Sequence, residues 1–262
     1  MAVNWRWRRA AGDLGDPVVT VLLVALASLC LLGTGVAVQR AVDARDELDR
    51  IAADRAADVL AAELQASIAA LNGADAMATD GTVTDEEVAA FAGDIVSTAA
   101  FTALAYCEPI AGDERAAWEA ATGYPVHEFG GPGEIRPAAR RERYVVVRAV
   151  YPETETSRLT LGLDLASDPT RRAAVDDAAT SDGPVVMAPI ALASTGGVGL
   201  FVAKSVTHDG EVVGFVSSGV GIDSLTARLD PDIAASLTIW LDGVQLRTGS
   251  PEGATAAFTA GG

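Results

Sequence analysis

The feature that most constrains this chain is an uninterrupted apolar stretch at residues 18–38, directly behind an arginine-rich amino terminus. A helix needs about 20 apolar residues to cross the hydrocarbon core of a bilayer, and this stretch has that length. Because arginines favour the cytoplasmic side, residues 1–17 are predicted to lie in the cytoplasm and residues 39 onward outside. The sequence thus predicts a single-pass protein of the cell membrane with an extracytoplasmic main domain.

Two other interpretations of residues 18–38 stay open. A cleaved secretory signal has an apolar region of about 7–15 residues. The stretch here is longer, and Val-Ala-Val at residues 36–38 is a poor cleavage site. The other alternative is a buried helix of a soluble protein. A retained membrane anchor is the favoured interpretation.

Charge excludes one class of partner. The chain carries 19 basic and 36 acidic residues, which gives a net charge of −17. Residues 18–262 hold 16 basic and 34 acidic residues, so the outer region is strongly anionic. Such a region repels both nucleic acid and anionic lipid headgroups. We therefore expect no nucleic-acid partner.

Residues 39–72 are predicted to form a stalk helix that continues out of the membrane. Four apolar side chains recur on one face at helical spacing, namely Leu60, Leu64, Ile68 and Leu71. An apolar stripe needs a cover. The stripe therefore favours packing on the chain's own domain or on a second copy as a homodimer, and a solvated spacer is the alternative.

Beyond the stalk, short helices alternate with strands that tight turns connect. A capping box at Thr84 and Glu87 predicts one helix start, and Asp168-Pro169 predicts another. This order is typical of a mixed α/β (α+β) fold with antiparallel strands, and not of a parallel, doubly wound sheet. The Gly/Pro-rich residues 130–137 are predicted to form a loop.

Residues 184–203 carry no charge and have the length of a second membrane span. Pro189 and three glycines interrupt them, however, and a broken backbone exposed to lipid would leave its polar groups unsatisfied. We therefore expect two strands and a hairpin here.

The sequence predicts no catalytic residues, no metal site and no cofactor. His127 and His208 are the only histidines, and neither has a second ligand at metal-binding spacing. Ser217 and Ser218 are not in a nucleophile elbow, so a hydrolase is the least favoured interpretation.

Two segments resemble the CHASE domain, an extracellular sensory module that precedes histidine kinases, nucleotide cyclases and related outputs, including plant cytokinin receptors. Residues 114–119 (Glu-Arg-Ala-Ala-Trp-Glu) are similar to the family's Glu-Arg-x-x-aromatic-Glu segment. Residues 161–172 (LGLDLASDPTRR) are similar to its Gly-x-Asp-x-x-Ser-x-Pro-x-Arg segment and the helix that follows. The resemblance spans about residues 101–207.

The resemblance implies a stalk helix and two PAS-like lobes with flanking helices. A membrane-distal lobe at residues 73–207 would hold a small ligand, and an incomplete membrane-proximal lobe would occupy residues 208–262. The family usually adds a second transmembrane helix and a cytoplasmic output domain, and this chain contains neither. The chain is then either a fragment of a receptor or a protein without its own output.

The resemblance also implies a ligand site, with departures from the family pattern. Met187 replaces a threonine, Ala203 replaces a small polar residue, and Arg171 falls near the acidic residue that cytokinin receptors use. These changes argue against an adenine-type cytokinin and favour a small anionic or amphipathic ligand in an apolar pocket with a cationic edge. The expected ligand-binding residues are Arg171, Arg172, Met187, Ala203, Tyr151 and Phe201.

Alternatives for these residues stay open. Arg171 and Arg172 could instead pair with nearby aspartates, and Tyr151 could be a core aromatic. For the whole chain, the sequence favours a membrane-anchored sensor that binds a small ligand and takes part in signal transduction. The alternative is a membrane-anchored interaction module that binds a partner protein.

Overall fold

The computed structural model describes residues 17–96, 101, 103–131, 134–192, 197–227, 229, 231, 234, 238–241, 244–247 and 255–258. The chain divides into two compact units, Met1–Ile51 and Ala52–Gly262. In chain order the elements are the helix α1 (Pro17–Ala70), a 3-10 helix (Leu71–Met77), α2 (Asp85–Val96), β1 (Leu104–Ala111), α3 (Arg115–Thr122), β2 (His127–Gly131), β3 (Glu134–Pro137), β4 (Arg143–Tyr151), α4 (Glu155–Arg158), a second 3-10 helix (Leu165–Ser167), α5 (Pro169–Ala178), β5 (Val185–Ala191), β6 (Val198–His208), β7 (Glu211–Gly221), α6 (Ile222–Thr226), β8 (Thr238–Leu241), β9 (Val244–Arg247) and β10 (Thr255–Phe258).

The helix α1 is continuous from the apolar stretch into the stalk. Residues 39–70 contain no glycine or proline and are rich in alanine, leucine, arginine and glutamate, which favour the helix. Large apolar side chains between Val24 and Val38 are exposed. Within the described part of the chain, this is the one helix long and apolar enough to cross a membrane. The expected long apolar helix that continues into a stalk is thus confirmed, and its position in a membrane stays a prediction.

The folded unit is built around a five-stranded antiparallel sheet with the strand order β4-β1-β7-β6-β5. A three-stranded sheet has the order β10-β8-β9, and β2 pairs with β3 in a hairpin. The expected mixed α/β fold, with a PAS-like antiparallel sheet and flanking helices, is confirmed. Residues 184–203 contribute β5 and the first half of β6, as expected, whereas the turn at residues 193–196 lies outside the described residues.

The central sheet separates two apolar clusters, because alternate side chains of a strand point to opposite faces. On β6, Val202 and Val206 belong to the cluster that contains the end of α1 and α2. Phe201 and Ala203 belong to the cluster that contains α5. The strand β6 therefore contacts α5 on one face, and on the other it shares an apolar cluster with the end of the stalk and contacts the 3-10 helix that follows it.

The apolar stripe of the stalk packs on the folded domain. Leu60 and Leu71 are buried, and Leu64 and Ile68 are partly buried against the same cluster. Of the two packing surfaces expected for this stripe, the chain's own domain and a second copy, the structure shows packing on the chain's own domain. The stripe therefore gives no separate support to a homodimer.

Two expectations differ from the structure. The predicted loop at residues 130–137 is wrong, because residues 127–131 and 134–137 form the strands β2 and β3, which pair antiparallel. The expected boundary between lobes at residues 207 and 208 falls inside the β6–β7 hairpin. Because β7 pairs with both β1 and β6, it belongs to the main sheet.

Asp75 connects the end of the stalk to β6. Its Oδ1 accepts hydrogen bonds from the backbone N–H of Thr207 at 2.7 Å and from Oγ1 of Thr207 at 2.9 Å. Its Oδ2 lies 3.7 Å from Nζ of Lys204, the only lysine of the chain, which is buried. The segment that follows α1 is therefore fastened to the strand that also borders the α5 layer.

Replacement of Asp75 by alanine is expected to lower the free energy of unfolding by about 1–2 kcal/mol, because two donors on Thr207 lose a charged acceptor. Urea unfolding followed by circular dichroism measures the change. The matched control is Asp58→Ala, an exposed aspartate on α1. An equal effect of the two substitutions would show that Asp75 does not fasten the stalk.

Candidate functional site

A cavity of about 80 Å³ lies between the central sheet and the layer formed by α4, the second 3-10 helix and α5. Most of its wall is apolar and consists of Ala103, Ala105, Val147, Val150, Leu163, Leu165, Ile190, Leu192 and Phe201. The remaining lining residues are Ser157, Thr160, Arg171, Ser217, Ser218 and Gly219. The cavity thus combines a mainly apolar wall with a few polar groups, as small-molecule sites do.

Arg171 is the one charged residue among those that line this cavity. Asp168 caps α5 by accepting the backbone N–H of Arg171 at 2.9 Å, which fixes Arg171 in the first turn. Arg171 is only 8% exposed. Its Nη2 donates to the carbonyl oxygen of Ala191 at 2.7 Å, and its Nη1 lies 3.8 Å from Oδ2 of Asp168. Among the described residues, its Nε and Nη1 donate no hydrogen bond.

The guanidinium is therefore poorly compensated. Burial lowers the pKa of Arg171, and the nearby Asp168 carboxylate opposes this shift. A buried cation with one distant counter-charge has an unfavourable free energy that a bound anion would reduce. The cavity can consequently bind a small molecule that brings a negative group to Arg171.

Three hydroxyl groups of the cavity wall donate hydrogen bonds to backbone carbonyl oxygens and are therefore not available as donors to a ligand. Ser218 donates to the carbonyl of Ala103 at 2.7 Å, Thr160 to that of Ser157 at 2.6 Å, and Ser157 to that of Pro152 at 2.7 Å. This leaves Arg171 as the strongest hydrogen-bond donor of the lining.

The segment that carries Leu163 and Leu165 is held between β2 and β4. The N–H of Gly162 donates to the carbonyl of Val147 at 2.8 Å, and the N–H of Val147 donates to that of Leu163 at 3.0 Å. On the other side, the N–H of His127 donates to the carbonyl of Gly162, and the N–H of Asp164 to that of His127, both at 2.9 Å. Backbone bonds on both sides thus fix this wall of the cavity.

Asp164 anchors the same segment from within the core. It is fully buried, and its Oδ1 accepts the backbone N–H groups of Val145 at 3.1 Å and Ala166 at 3.0 Å. Its Oδ2 pairs with Arg141 at 3.1 Å, and Arg141 also pairs with Glu128 at 2.7 Å. Burial raises the pKa of Asp164, and the N–H of Val145 and the charge of Arg141 oppose this shift.

The hydrogen bond from Arg141 lowers the pKa of Glu128 below its ordinary value of 4.5. A lowered pKa in the folded state stabilises the fold above the ordinary value, and this contribution is lost as the pH falls through the folded value. We therefore expect the melting temperature to fall below about pH 4.5. The raised pKa of Asp164 acts in the opposite direction and offsets part of the loss.

Glu128→Gln should melt at a lower temperature than the wild type at pH 7 and should show a shallower loss between about pH 5 and pH 3. The control is Glu142→Gln, an exposed glutamate beside β4. The measurement is the melting temperature of the wild type and of both variants across this pH range. Parallel curves for Glu128→Gln and the wild type would contradict the expectation.

The first family-like segment, residues 114–119, also serves structure. Nε of Arg115 donates to Glu119 at 2.9 Å, and Nη2 of Arg115 donates to the carbonyl of Val126 at 2.9 Å. Glu119 accepts the N–H of Val126 at 2.8 Å, which lowers the pKa of Glu119. The indole N–H of Trp118 donates to Glu108 at 2.7 Å. These contacts fasten α3 to β1 and to the chain that leads into β2.

The structure distributes the six residues expected to bind a ligand over different surroundings. Arg171 and Phe201 line the cavity. Met187 and Ala203 pack in the apolar cluster around it without lining it. Tyr151 packs against the cluster on the opposite face of the sheet. Arg172 is exposed, and its Nε donates to the carbonyl of Ala166 at 2.7 Å.

Sequence reasoning missed the hydroxyl residues of the cavity wall. Ser157 belongs to a capping box with Thr154, which a search for Ser/Thr pairs three residues apart would have found. Thr160, Ser217 and Ser218 follow no motif. They come from stretches that only the fold brings together.

A second cavity of about 360 Å³ lies beside α2 and β4, and Tyr151, Arg148 and Asp85 contribute to its lining. It is larger, but its cation is already engaged. Arg148 pairs with Asp85 and with Glu108, each at 2.8 Å. The smaller cavity is the better candidate because Arg171 has one carboxylate at 3.8 Å, whereas Arg148 has two at 2.8 Å.

A protein-family model provides the decisive comparison. The model described as the CHASE domain matches residues 81–253, which include α2, the central sheet and the cavity. The chain belongs to the CHASE domain family. The CHASE resemblance expected from residues 114–119 and 161–172 is therefore confirmed. The chain carries a sensory domain, and no curated protein sequence matches it.

Several solved structures are similar to the CHASE chain in architecture. The ligand-binding domain of the Pseudomonas aeruginosa amino acid chemoreceptor PctC, in complex with GABA, has 14% identity and a TM-score of 0.43, with 71% of this chain and 67% of that chain covered. The ligand-binding domain of the Pseudomonas fluorescens chemoreceptor CtaA, in complex with L-isoleucine, has 18% identity and a TM-score of 0.39, with coverages of 70% and 62%. The same domain with L-alanine has 18% identity and a TM-score of 0.44, with coverages of 79% and 72%. The chain spans less than two thirds of the length of some of these domains.

Proposed function

We propose that this protein is a membrane-anchored extracytoplasmic sensor that binds a small ligand and catalyses no reaction itself. Residues 1–17 lie in the cytoplasm, residues 18–38 span the membrane, and the stalk carries the CHASE domain outside. The ligand occupies the cavity between the central sheet and α5. The observation that supports this proposal is Arg171, a buried cation on the cavity wall whose nearest carboxylate lies 3.8 Å away.

Signalling is a shift of population between two packings of the domain. A ligand changes such an equilibrium only if it binds one packing more tightly than the other. Phe201 on β6 lines the cavity, and Thr207 on the same strand is hydrogen-bonded to Asp75 after the stalk. A change of packing at the cavity can therefore be transmitted to the end of the stalk through the single strand β6.

The test is a thermal-shift screen of the full chain in lipid nanodiscs against small metabolites of different charge. A compound that binds the native state raises the melting temperature with its concentration. We expect stabilisation by at least one anionic compound, with loss of that stabilisation in Arg171→Gln and its retention in Arg172→Gln. Absence of stabilisation by every compound would favour the alternative of a module that binds a partner protein.

A further inference from the structure

We infer that the ligand of this cavity is a short monocarboxylate that carries no ammonium group. This inference rests on the proposed function, because it names the class of ligand that the proposed site takes. It depends on the charge, the size and the hydrogen-bonding groups of the cavity wall.

The charge of the wall favours a single negative group. Arg171 is the one cation among the lining residues, and no aspartate or glutamate lines the cavity within the described part of the chain. A guanidinium binds a carboxylate through two parallel N–H donors. The observed hydrogen bond to Ala191 uses one of the two N–H groups of Nη2, so the second N–H of Nη2 and the N–H groups of Nε and Nη1 remain as donors for a ligand carboxylate. A second negative charge would have no partner on this wall.

The same wall disfavours an ammonium group. Asp168 is the carboxylate nearest to Arg171, and it does not line the cavity. Its Oδ1 is committed to the cap of α5. An ammonium group enclosed here would be a buried charge without a counter-ion, which is strongly unfavourable. A zwitterionic amino acid would therefore gain binding free energy from its carboxylate at Arg171 and lose more from the burial of its ammonium group.

The size of the cavity restricts the ligand to a short chain. A cavity of about 150 Å³ holds benzene, with six carbon atoms. In proportion, about 80 Å³ encloses roughly three non-hydrogen atoms. Phe201, Ile190 and Leu163 supply apolar contacts for a short hydrocarbon part. Propionate meets these conditions because its three carbon atoms match this volume and its two carboxylate oxygens contact the Arg171 guanidinium.

Four compounds with five non-hydrogen atoms separate the charge requirements at constant size. Propionate has a carboxylate and a methyl group, glycolate replaces the methyl with a hydroxyl, and glycine replaces it with an ammonium group. Propionamide replaces the carboxylate with an uncharged amide. The experiment is a ligand-observed NMR titration of each compound with the full chain in nanodiscs at pH 7. We expect propionate to bind at least about tenfold more tightly than glycine or propionamide.

Arg171→Gln tests whether the preference arises at this residue. We expect the variant to bind propionate and propionamide with equal affinity, because the charge that distinguishes them is gone. The control is Arg172→Gln, which changes the next residue on the exposed side of α5 and should keep the preference. If Arg171→Gln does not fold, the four compounds still decide the question on the wild-type protein.

Glycine binding as tightly as propionate, or propionamide binding as tightly as propionate, would overturn the inference. Failure of propionate to bind would overturn it as well. If another compound in the metabolite screen still stabilises the protein in a manner that depends on Arg171, the sensor function stands and only the ligand class is wrong. If no compound stabilises the protein, both the sensor function and the ligand class are wrong.

Discussion

Replacement of Asp164 by alanine is expected to destabilise the folded domain by about 3–5 kcal/mol, the largest effect of any single side-chain truncation proposed for this protein. The carboxylate accepts the buried N–H groups of Val145 and Ala166, and each orphaned donor costs about 1–3 kcal/mol. Arg141 also loses one of its two carboxylate partners. Melting temperature and urea unfolding at pH 7 measure the loss.

The matched control is Asp176→Ala, because Asp176 is an exposed aspartate of α5 that pairs with the exposed Arg143. Exposed ion pairs contribute at most about 1 kcal/mol. Equal losses for the two substitutions would show that Asp164 does not hold the cavity wall in the way described. A large loss for Asp164→Ala alone supports it.

Gly162→Ala is expected to lower the free energy of unfolding nearly as much as Asp164→Ala, for a different physical reason. Gly162 has a φ angle of +87°, and a Cβ atom there would lie 2.4 Å from the carbonyl oxygen of Pro125. A left-handed conformation costs an alanine about 1–2 kcal/mol, and the overlap with backbone adds to it. The backbone bonds of Gly162 to β2 and β4 prevent it from moving away. We expect a total loss above about 3 kcal/mol.

Gly123 offers a control with the same strain and no overlap. Its φ angle is +77°, and a Cβ atom at this position would meet nothing within 4 Å. Gly123→Ala should therefore lose only about 1–2 kcal/mol. The difference between the two variants in urea unfolding isolates the close approach to Pro125. If both variants lose the same amount, the packing of residues 161–165 against the chain before β2 is not as described.

The local signals in the sequence predicted much of the fold. The capping box at Thr84 and Glu87 forms as expected, with Glu87 accepting the N–H of Thr84 at 2.8 Å. Asp168 caps α5. These features depend on residues close together in the chain, so the sequence alone specifies them. The long apolar stretch and the helix that continues from it are predictable for the same reason.

The pairing of distant strands was not predictable in this way. The strand β7 lies between β1 and β6, and no local signal in residues 211–221 indicates that they complete the main sheet. The expected lobe boundary therefore fell inside a hairpin. The pairing of β2 with β3 was missed because these strands are short and the Gly/Pro-rich composition of residues 130–137 indicated a loop.

The candidate site was only partly predictable. Arg171 was expected in the site because the resemblance implies an acidic residue near this position, and the structure places Arg171 on the cavity wall. Its neighbour Arg172 was expected in the same site, but adjacent residues of a helix point in different directions, and Arg172 does not line the cavity. Ser157, Ser217 and Ser218 reach the cavity from α4 and β7, and only the tertiary fold brings them together.

The most direct test of the sensor function is a crystal structure of the protein with the compound that most raises its melting temperature. We predict electron density between the central sheet and α5, with a negative group within hydrogen-bond distance of the Arg171 guanidinium. Density in the cavity beside Tyr151 and Arg148, with none beside Arg171, would contradict the assignment of this site.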